Sequence, residues 1–476
     1  MAEQNNPVLI IGAGPAGLTA SYELAKRGVS SIVLEKDSVV GGIARTAQYK
    51  GYRFDIGGHR FFTKVERVKQ MWQEILDEDF LKRPRLSHIY YKKKFFQYPI
   101  KPMDVLRKLG FWESALAGVS YSRAKIFPRR QEESFEDYIV NHFGLRLYNT
   151  FFKSYTEKVW GLPCTQIKAE WAAQRIKGLS LTSLIKTAFL GNRGNEIKSL
   201  IEQFHYPRFG PGMMWEKVRE KIEASGLARV IFNTQPVKIN HENGQVRSVV
   251  IRRNDGQEEE IVVSALISSM PLTELFPLFN PALSECARSA ASILHYRDFL
   301  TIALIVNRPH LFDDNWIYIH EPNVEVGRIQ NYKNWSPEML ADQSKSCLGL
   351  EYFCFKSDPL WTRPDAELLA QGAAEVEAIG LANKADIEDG TVIRMEKTYP
   401  VYDDAYEAAM PVIRQELAGF KNFYTVGRNG MHRYNNQDHA MYTAMLAVEN
   451  LLDNAGHDLW SVNVERVYHE EQKVSR

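Results

Sequence analysis

This sequence has few cysteines, no long apolar runs and almost no net charge. The 476 residues include four cysteines, and their scattered spacing excludes a disulfide framework and a zinc or other metal site. Lysine and arginine (59) almost balance aspartate and glutamate (58), so no chain-wide field attracts nucleic acid. Because no stretch is apolar for the length of a membrane helix and no signal peptide is recognisable, we expect a cytoplasmic protein without an integral membrane segment.

What is present is the composition of a folded protein, with 45% hydrophobic and 25% charged residues. A chain of this length exceeds one ordinary core, so we expect two or three domains. The patterns predict an α/β fold: a Rossmann-like dinucleotide-binding domain, a helical insertion, and a second, mostly antiparallel sheet domain. We place the dinucleotide-binding domain in residues 1–90, 205–268 and 415–460, the substrate-binding insertion in 100–200, and the second sheet domain in 269–414.

The second sheet is predicted from four segments that have the pattern and length of strands. These segments are 301–306, 316–319, 327–332 and 348–355. Alternation along the third segment puts Arg328 and Gln330 on the same face. The stretch 358–365, which is rich in proline and aspartate, predicts a loop.

The N-terminal residues show the order strand, glycine-rich turn, helix and strand that a mononucleotide-binding unit requires. An apolar run leads into Gly12, Gly14 and Gly17, which form Gly-x-Gly-x-x-Gly. The first glycine permits a tight turn, the second lets backbone approach a pyrophosphate, and the third lets the helix pack on the sheet. Glu35 ends the second strand, where a carboxylate suits a ribose hydroxyl. These residues predict a dinucleotide at the N-terminus of the first helix.

A second glycine-rich segment distinguishes FAD from NAD. It contains Gly42 and Arg45, and Gly57-Gly58-His59 follows it. This segment resembles that of the FAD-binding amine oxidase and protoporphyrinogen oxidase superfamily, in which it runs along the flavin. The resemblance implies FAD as the cofactor, with Val237 at the adenine and Arg428 at the ribityl-pyrophosphate.

Further motifs are similar to those of the UDP-galactopyranose mutases, the eukaryotic-type enzymes more than the short bacterial ones. They are GGHRFF at 57–62, FFQYP at 95–99, YTEKVWGLP at 155–163, WIY at 316–318, TYPVY at 398–402, and GRNGMHRY with NQDH between 427 and 439. Arg328 lies ten residues beyond Tyr318, which is the spacing in the mutases. Thr156 and Glu157 depart from the family pattern, which has an asparagine and an aromatic residue there.

The mutase resemblance implies a role for each matching residue. Residues acting at the flavin or the substrate diphosphate would be His59, Arg175, Arg328, Tyr399, Tyr434 and Asn436. Residues that contact the rest of the substrate would be Phe96, Gln97, Tyr155, Trp160, Trp316 and Tyr318. Ordinary structural interpretations stay open beside these roles: core packing for Phe96 and Trp160, a turn for His59, a solvated strand for Arg328 and a helix N-cap for Asn436.

The resemblance also implies a redox-neutral reaction, the interconversion of pyranose and furanose forms of UDP-galactose or a related UDP-sugar. Reduced FAD would act as the nucleophile, with its N5 forming an adduct with the anomeric carbon as UDP leaves. NAD(P)H would reduce the flavin, although no second Gly-x-Gly-x-x-Gly is present to bind it. Two alternatives stay open: an FAD-dependent oxidoreductase of the protoporphyrinogen oxidase, phytoene desaturase or amine oxidase type, and a non-catalytic flavin protein that binds a nucleotide sugar. A homo-oligomer is compatible with the sequence.

Overall fold

The computed structural model describes residues 6–98, 100, 102–169 and 203–463. In chain order its strands are β1 (Val8–Ile11), β2 (Ser31–Leu34), β3 (Thr46–Tyr49), β4 (Tyr52–Asp55), β5 (Phe80–Pro84), β6 (Ser87–Tyr91), β7 (Lys94–Gln97), β8 (Gln203–Pro207), β9 (Ala228–Ile231), β10 (Thr234–Glu242), β11 (Gln245–Arg253), β12 (Glu258–Val262), β13 (Ala265–Ser268), β14 (Phe279–Asn280), β15 (Tyr296–Val306), β16 (Trp316–Ile319), β17 (Arg328–Asn331), β18 (Ser346–Cys354), β19 (Ile387–Pro400) and β20 (Phe423–Thr425). Its α-helices are α1 (Pro15–Lys26), α2 (Glu66–Leu76), α3 (Pro102–Leu109), α4 (Phe111–Ile126), α5 (Phe135–Phe143), α6 (Leu145–Phe151), α7 (Lys153–Trp160), α8 (Gly212–Ala224), α9 (Leu272–Leu275), α10 (Glu285–Ser292), α11 (Tyr332–Trp335), α12 (Pro359–Thr362), α13 (Asp365–Ile379), α14 (Asp404–Leu417) and α15 (Gln437–Asp453).

The first sheet is parallel and has the strand order β20-β13-β1-β2-β9. Strand β1 lies at its centre, with Val8 opposite Ser31 of β2 and Ala265 of β13. Alternate side chains of β1 pack into two separate hydrophobic cores, one on each face of the sheet. Burial on both faces explains why the strand is an uninterrupted apolar run. The Rossmann-like part of the predicted fold is confirmed.

The second sheet has seven strands in the order β19-β15-β18-β17-β16-β6-β7, and its neighbours are antiparallel except for β16 and β6. All residues of β15 are buried, because β18 and β19 pair with it on both edges. The mostly antiparallel second sheet is therefore confirmed. Two of its strands, β6 and β7, come from residues that precede the helical insertion, and the expected boundary had assigned residues up to 90 to the first domain.

A helical layer, α3 to α7, follows β7 in the described residues. Its own core contains Phe135, Ile139 and Trp160. One local expectation is wrong: the stretch 358–365 is not a loop, since it contains α12 and the start of α13. Proline at the first position of a helix removes only an N–H that has no helical partner, so Pro359 begins α12 instead of preventing it.

The state of the cysteines and the length of the helices bear on the expectations from composition. Cys164, Cys347 and Cys354 are buried free thiols, and Cys286 is exposed. Within the described ranges, no helix is long and apolar enough to cross a membrane.

The turn after β1 generates the first prediction. A Cβ atom on Gly17 would lie 1.8 Å from the carbonyl oxygen of Gly12, and neither backbone can retreat without moving β1 or α1. We expect Gly17→Ala to destabilise the fold by roughly 1–3 kcal/mol or more, as overpacking does. Thermal unfolding followed by circular dichroism measures the effect. The matched control is Gly118→Ala in α4, where the added Cβ meets nothing within 4 Å, and which should leave stability unchanged or raised. Equal melting temperatures for the two variants would contradict the packing argument.

Candidate active site

A cleft of about 1470 Å³ opens at the carboxyl ends of β1, β2 and β13 and extends to the second sheet. Ligands of open α/β sheets bind at this edge. The predicted site residues that line the cleft are Gly12, Gly14, Glu35, Gly42, Arg45, Gly58, His59, Val237, Tyr318, Arg328, Tyr399, Arg428, Tyr434 and Asn436. The fold thus brings together residues that span most of the chain.

Bare backbone forms the floor of the cleft. Gly12 has a φ of +96°, and a Cβ atom on it would lie 2.3 Å from the Ser269 hydroxyl oxygen. The N–H of Gly41 donates to the carbonyl of Ala13 at 2.9 Å, and a Cβ on Gly42 would lie 3.3 Å from the Cα of Gly14. Side chains at these positions would fill the space beside the N-terminus of α1. The geometry fits a pyrophosphate, which needs close backbone approach and free helix N–H groups.

Glu35 is tied to the glycine-rich turn. Its carboxylate accepts the N–H of Ala13 at 2.8 Å and the N–H of Asp37 at 3.0 Å. Burial raises the pKa of Glu35, and these two hydrogen bonds oppose that shift. The carboxylate therefore lies fixed at the end of β2, where a ribose hydroxyl could donate to it.

Arg45 and Val237 both belong to this part of the cleft lining. The Arg45 guanidinium donates to Asp37 at 2.5 Å and to the carbonyl of Gly42 at 2.8 Å, which stiffens the second glycine-rich segment. Val237 lies at a bulge, because Pro236 pairs with Ile251 whereas Lys238 pairs with the next residue of β11. A bulge leaves backbone groups outside the ladder and able to bind a ligand.

The wall of the cleft formed by the second sheet carries a buried ion pair. Arg328 of β17 donates through Nε to the Glu351 carboxylate at 2.7 Å, and Gln330 donates to the other oxygen of the same carboxylate. The predicted sharing of one face by Arg328 and Gln330 is therefore confirmed. Burial opposes the charge of Arg328, but the carboxylate outweighs burial and raises its pKa. The guanidinium lies over Gly58, where a Cβ atom would be 3.6 Å from Cζ.

Two tyrosines and a second arginine continue this wall. The rings of Tyr399 and Tyr434 stack with their centroids 5.6 Å apart. The Arg428 guanidinium lies 4.7 Å from the ring centroid of Tyr434 and donates to the carbonyls of Asn435 and Thr398. Burial raises the pKa of Tyr399, so its hydroxyl stays protonated and able to donate a hydrogen bond at neutral pH.

His59 lies between the glycine-rich floor and the arginines. Burial lowers its pKa to about 3, and the charges of Arg428 and Arg328 contribute to the shift. The imidazole is therefore neutral at physiological pH, so it adds no third positive charge beside Arg428 and Arg328. Asn436 precedes α15 as its N-cap, and its backbone N–H donates to the ring of His439 at 3.3 Å.

Three predicted substrate residues lie outside the cleft lining. Phe96 is fully buried and packs on Phe151 with ring centroids 5.1 Å apart. Gln97 is exposed, and its N–H donates to Asp104 at 2.9 Å. Trp316 stacks on a buried tryptophan of α11 at 5.3 Å. Their contact with substrate stays a prediction, and packing accounts for the two aromatic side chains.

Two other predicted substrate residues belong to the helical layer. Tyr155 stacks on His320 with centroids 4.9 Å apart and meets the ring of Tyr318 at 5.5 Å. Trp160 is buried in the helical core and lies 6.4 Å from the ring of Tyr434. Both therefore support a residue of the cleft lining. Arg175 lies outside the described residues.

The sequence reasoning missed several side chains of this region. Glu351 could have been found as the single charge in the otherwise apolar strand SCLGLEYFC. Asp55 is fully buried below the Gly57-Gly58 turn and accepts hydrogen bonds from Thr46 and Tyr206. Further polar residues of the lining that were not predicted include Arg60, Arg85 and Tyr98.

Sequence comparisons with known proteins match only part of this chain. Residues 10–75 match a family model described as an NAD(P)-binding Rossmann-like domain. A 1-hydroxycarotenoid 3,4-desaturase from Flavobacterium sp. (strain P99-3) is 31% identical over 87 residues, which is 18% of each chain. Protoporphyrinogen oxidase 2 (chloroplastic/mitochondrial) from Arabidopsis thaliana is 27% identical over 151 residues, 29% of each chain. The matches thus span less than a third of these relatives.

The likeness to solved structures extends over nearly the whole chain. The crystal structure of a reduced UDP-galactopyranose mutase superposes with a TM-score of 0.81, 21% sequence identity and coverage of 97% of both chains. This chain has the fold of that mutase. The predicted arrangement of a Rossmann-like domain with a second, mostly antiparallel sheet is confirmed by this likeness as well as by the strand order.

The buried carboxyl below the cleft generates a pH prediction. Burial raises the pKa of Asp55 from 3.8 to about 7, against hydrogen bonds from Tyr206 and Thr46 that lower it. Between these two pKa values the folded state keeps a proton that the unfolded state has released, so this residue makes the fold less stable as pH rises through that window. In Asp55→Asn this contribution disappears. We expect the melting temperature of the variant, relative to the unsubstituted protein, to increase from pH 4 to pH 7.

The control for this prediction is an exposed carboxylate. The Glu220 side chain on α8 is exposed, and Glu220→Gln should leave the pH dependence of the melting temperature unchanged. A difference between Asp55→Asn and the unsubstituted protein that is constant across the window would show that Asp55 is ionised in the folded state.

Proposed function

We propose that this chain is an FAD-dependent enzyme that interconverts the pyranose and furanose forms of a UDP-sugar. The Gly12–Gly17 turn, the segment around Gly42, Glu35 and Arg45 would hold the dinucleotide, with the adenine towards Val237. The cleft satisfies the steric demand of this cofactor, because backbone forms its floor where side chains would obstruct a pyrophosphate. The shared fold with a reduced UDP-galactopyranose mutase supports the same proposal.

One observation carries the choice of substrate: Arg328, Tyr399 and Tyr434 lie together on the lining of one cleft, with Arg328 directly over Gly58. Guanidinium groups and phenol hydroxyls match the oxygens of a diphosphate in charge and in hydrogen-bond direction. An apolar substrate would desolvate the same groups without giving them partners, which is costly. The wall therefore suits the diphosphate of a nucleotide sugar.

The proposed chemistry divides between cofactor and protein. Reduced FAD, when bound, supplies a nucleophilic flavin nitrogen for the anomeric carbon of the sugar. Arg328, oriented by Glu351, neutralises charge on the departing diphosphate, while the protonated Tyr399 and the hydroxyl of Tyr434 donate hydrogen bonds to it. The backbone carbonyl of His59 would accept the flavin N–H, and its neutral imidazole adds no third positive charge beside Arg328 and Arg428.

A flavin oxidoreductase is the second candidate. The observation in its favour is sequence similarity, since a desaturase and a protoporphyrinogen oxidase match part of this chain and residues 10–75 match a Rossmann-like family model. That region forms the dinucleotide site, which both candidates need. Because function depends on the substrate wall, the polar lining supports the sugar nucleotide as the substrate.

The decisive experiment is an anaerobic incubation of dithionite-reduced, FAD-loaded protein with UDP-galactopyranose and, separately, with UDP-galactofuranose. Chromatography of the sugar nucleotides should show interconversion from either side. Oxidised protein is the control and should leave both sugars unchanged, because the flavin nitrogen is then no nucleophile. If neither UDP-sugar reacts and neither perturbs the flavin spectrum, the proposal fails. Oxidation of an apolar substrate by the oxidised, FAD-loaded protein, with reduction of the flavin, would instead establish the oxidoreductase.

The buried ion pair generates a variant prediction. Arg328→Lys keeps a positive charge but loses the planar fork that binds Glu351 and an anion at the same time. We expect kcat to fall about 100-fold, as when one preorganised donor to a developing anion is removed. Arg308→Lys is the matched control, since Arg308 forms an exposed ion pair with Asp386 at 2.9 Å outside the cleft lining, and its kcat should be unchanged. An Arg328→Lys enzyme with unchanged kcat would show that the planar fork of the guanidinium is not needed to bind the diphosphate.

A further inference from the structure

Helix α4 buries small side chains and exposes large apolar ones, which is the reverse of an ordinary surface helix. Its buried residues are two alanines, Ala117 and Ala124. Its large apolar side chains face solvent: Trp112 is 78% exposed, Val119 65% and Ile126 69%. A helix that only had to pack on its own domain would bury these residues and expose the alanines. The outer face of α4 is therefore built for a partner outside the fold.

The exposed apolar residues form one continuous region and are not scattered singly. Phe111 and Phe127 lie at the two ends of α4 and are 79% and 76% exposed. Helix α3 adds side chains through its contact with α4. We call this region the α3–α4 face, and it comprises Met103, Leu106, Phe111, Trp112, Leu116, Val119, Ile126 and Phe127. Isolated apolar residues are normal on a protein surface, but a cluster of this size marks an interaction site.

The segment of the sequence that contains this face has a strong positive charge. Residues 92–130 contain ten lysines and arginines against two acidic residues, a net charge of +8 in a chain whose total is +1. Part of this charge comes from the turn between β6 and β7. Lys94 of that hairpin donates to the carbonyl of Lys108 in α3, and Lys108 donates to the carbonyl of Phe95. The hairpin is therefore attached to α3, beside the apolar residues.

We propose that the α3–α4 face docks on the surface of an anionic phospholipid bilayer. Exposed tryptophan and phenylalanine suit the boundary between headgroups and acyl chains, and lysine and arginine suit the lipid phosphates. Helix α4 has 16 residues and is about 24 Å long, shorter than the hydrocarbon core, so it lies in the interface and does not span it.

Charge distinguishes the bilayer from a second copy of this chain. Pairing two α3–α4 faces would bring two segments of net charge +8 together, and such like-charge juxtaposition is costly. An anionic surface instead gains attraction from each lysine and arginine near it. The hairpin attached to α3 also connects the face with the cleft, because β7 is followed by Tyr98, which is part of the cleft lining.

Flotation of the full-length protein with vesicles tests the proposal. Vesicles of phosphatidylcholine with phosphatidylglycerol should carry the protein at low salt, and vesicles of phosphatidylcholine alone should not. The double substitution Trp112→Ser with Val119→Ser removes apolar contact, and Arg123→Glu with Lys125→Glu reverses charge. We expect each pair to weaken binding to the anionic vesicles about tenfold or more, and the second pair to abolish most of its salt dependence.

A matched control pair lies elsewhere on the surface. Val262 is a large exposed apolar residue and Lys421 an exposed cation, both outside residues 92–130, so Val262→Ser with Lys421→Glu should bind vesicles like the unsubstituted protein. Equal melting temperatures show that all variants are folded, because every substituted side chain is exposed. Failure to float with anionic vesicles overturns the proposal. So does self-association in sedimentation velocity that Trp112→Ser with Val119→Ser removes, since the face would then be an interface between copies.

Discussion

The rest of the structure depends on the contact between two glycine-rich backbones. The turn after β1 brings the carbonyl of Gly12 so close to α1 that only Gly17 can occupy the facing position. The segment at Gly42 then lies directly on Gly14, and Glu35 binds the N–H of Ala13 from the end of β2. This packing sets the position of β1 relative to α1 and also clears the floor of the cleft. Stability and ligand access therefore arise from the same absence of side chains.

A second constraint acts on the opposite wall, where burial of the Arg328 cation costs desolvation free energy that its partners must offset. Strand register solves the problem, since Arg328 of β17 lies opposite Glu351 of β18. Gln330 donates to the second carboxylate oxygen, so the acid is satisfied on both sides. A buried charge is tolerated when it is paired and hydrogen-bonded in this way. The guanidinium keeps its remaining N–H groups for the cleft, in which its position is fixed by two rigid strands.

The sequence predicted those features that depend on residues close together in the chain. The turn from Gly12 to Gly17 and the shared face of Arg328 and Gln330 are local, and both appear in the structure. It could not predict Glu351 as the partner of Arg328, because that pairing needs the register between two separate strands. Phe96 shows the same limit: its motif resembles a substrate segment, but its strand pairing and the contact with Phe151 place it in a core.

Although the total charge is near zero, positive charge is concentrated in the segment that contains the α3–α4 face. With +8 in residues 92–130, the remainder of the chain must carry −7 to give the total of +1. Such a molecule near an anionic bilayer experiences a torque, because one region is attracted and the rest is repelled within a Debye length of the surface. The torque favours an orientation with the α3–α4 face towards the lipid. In the cleft the charge of Arg328 is already paired with Glu351, so the two anion-binding functions need not compete.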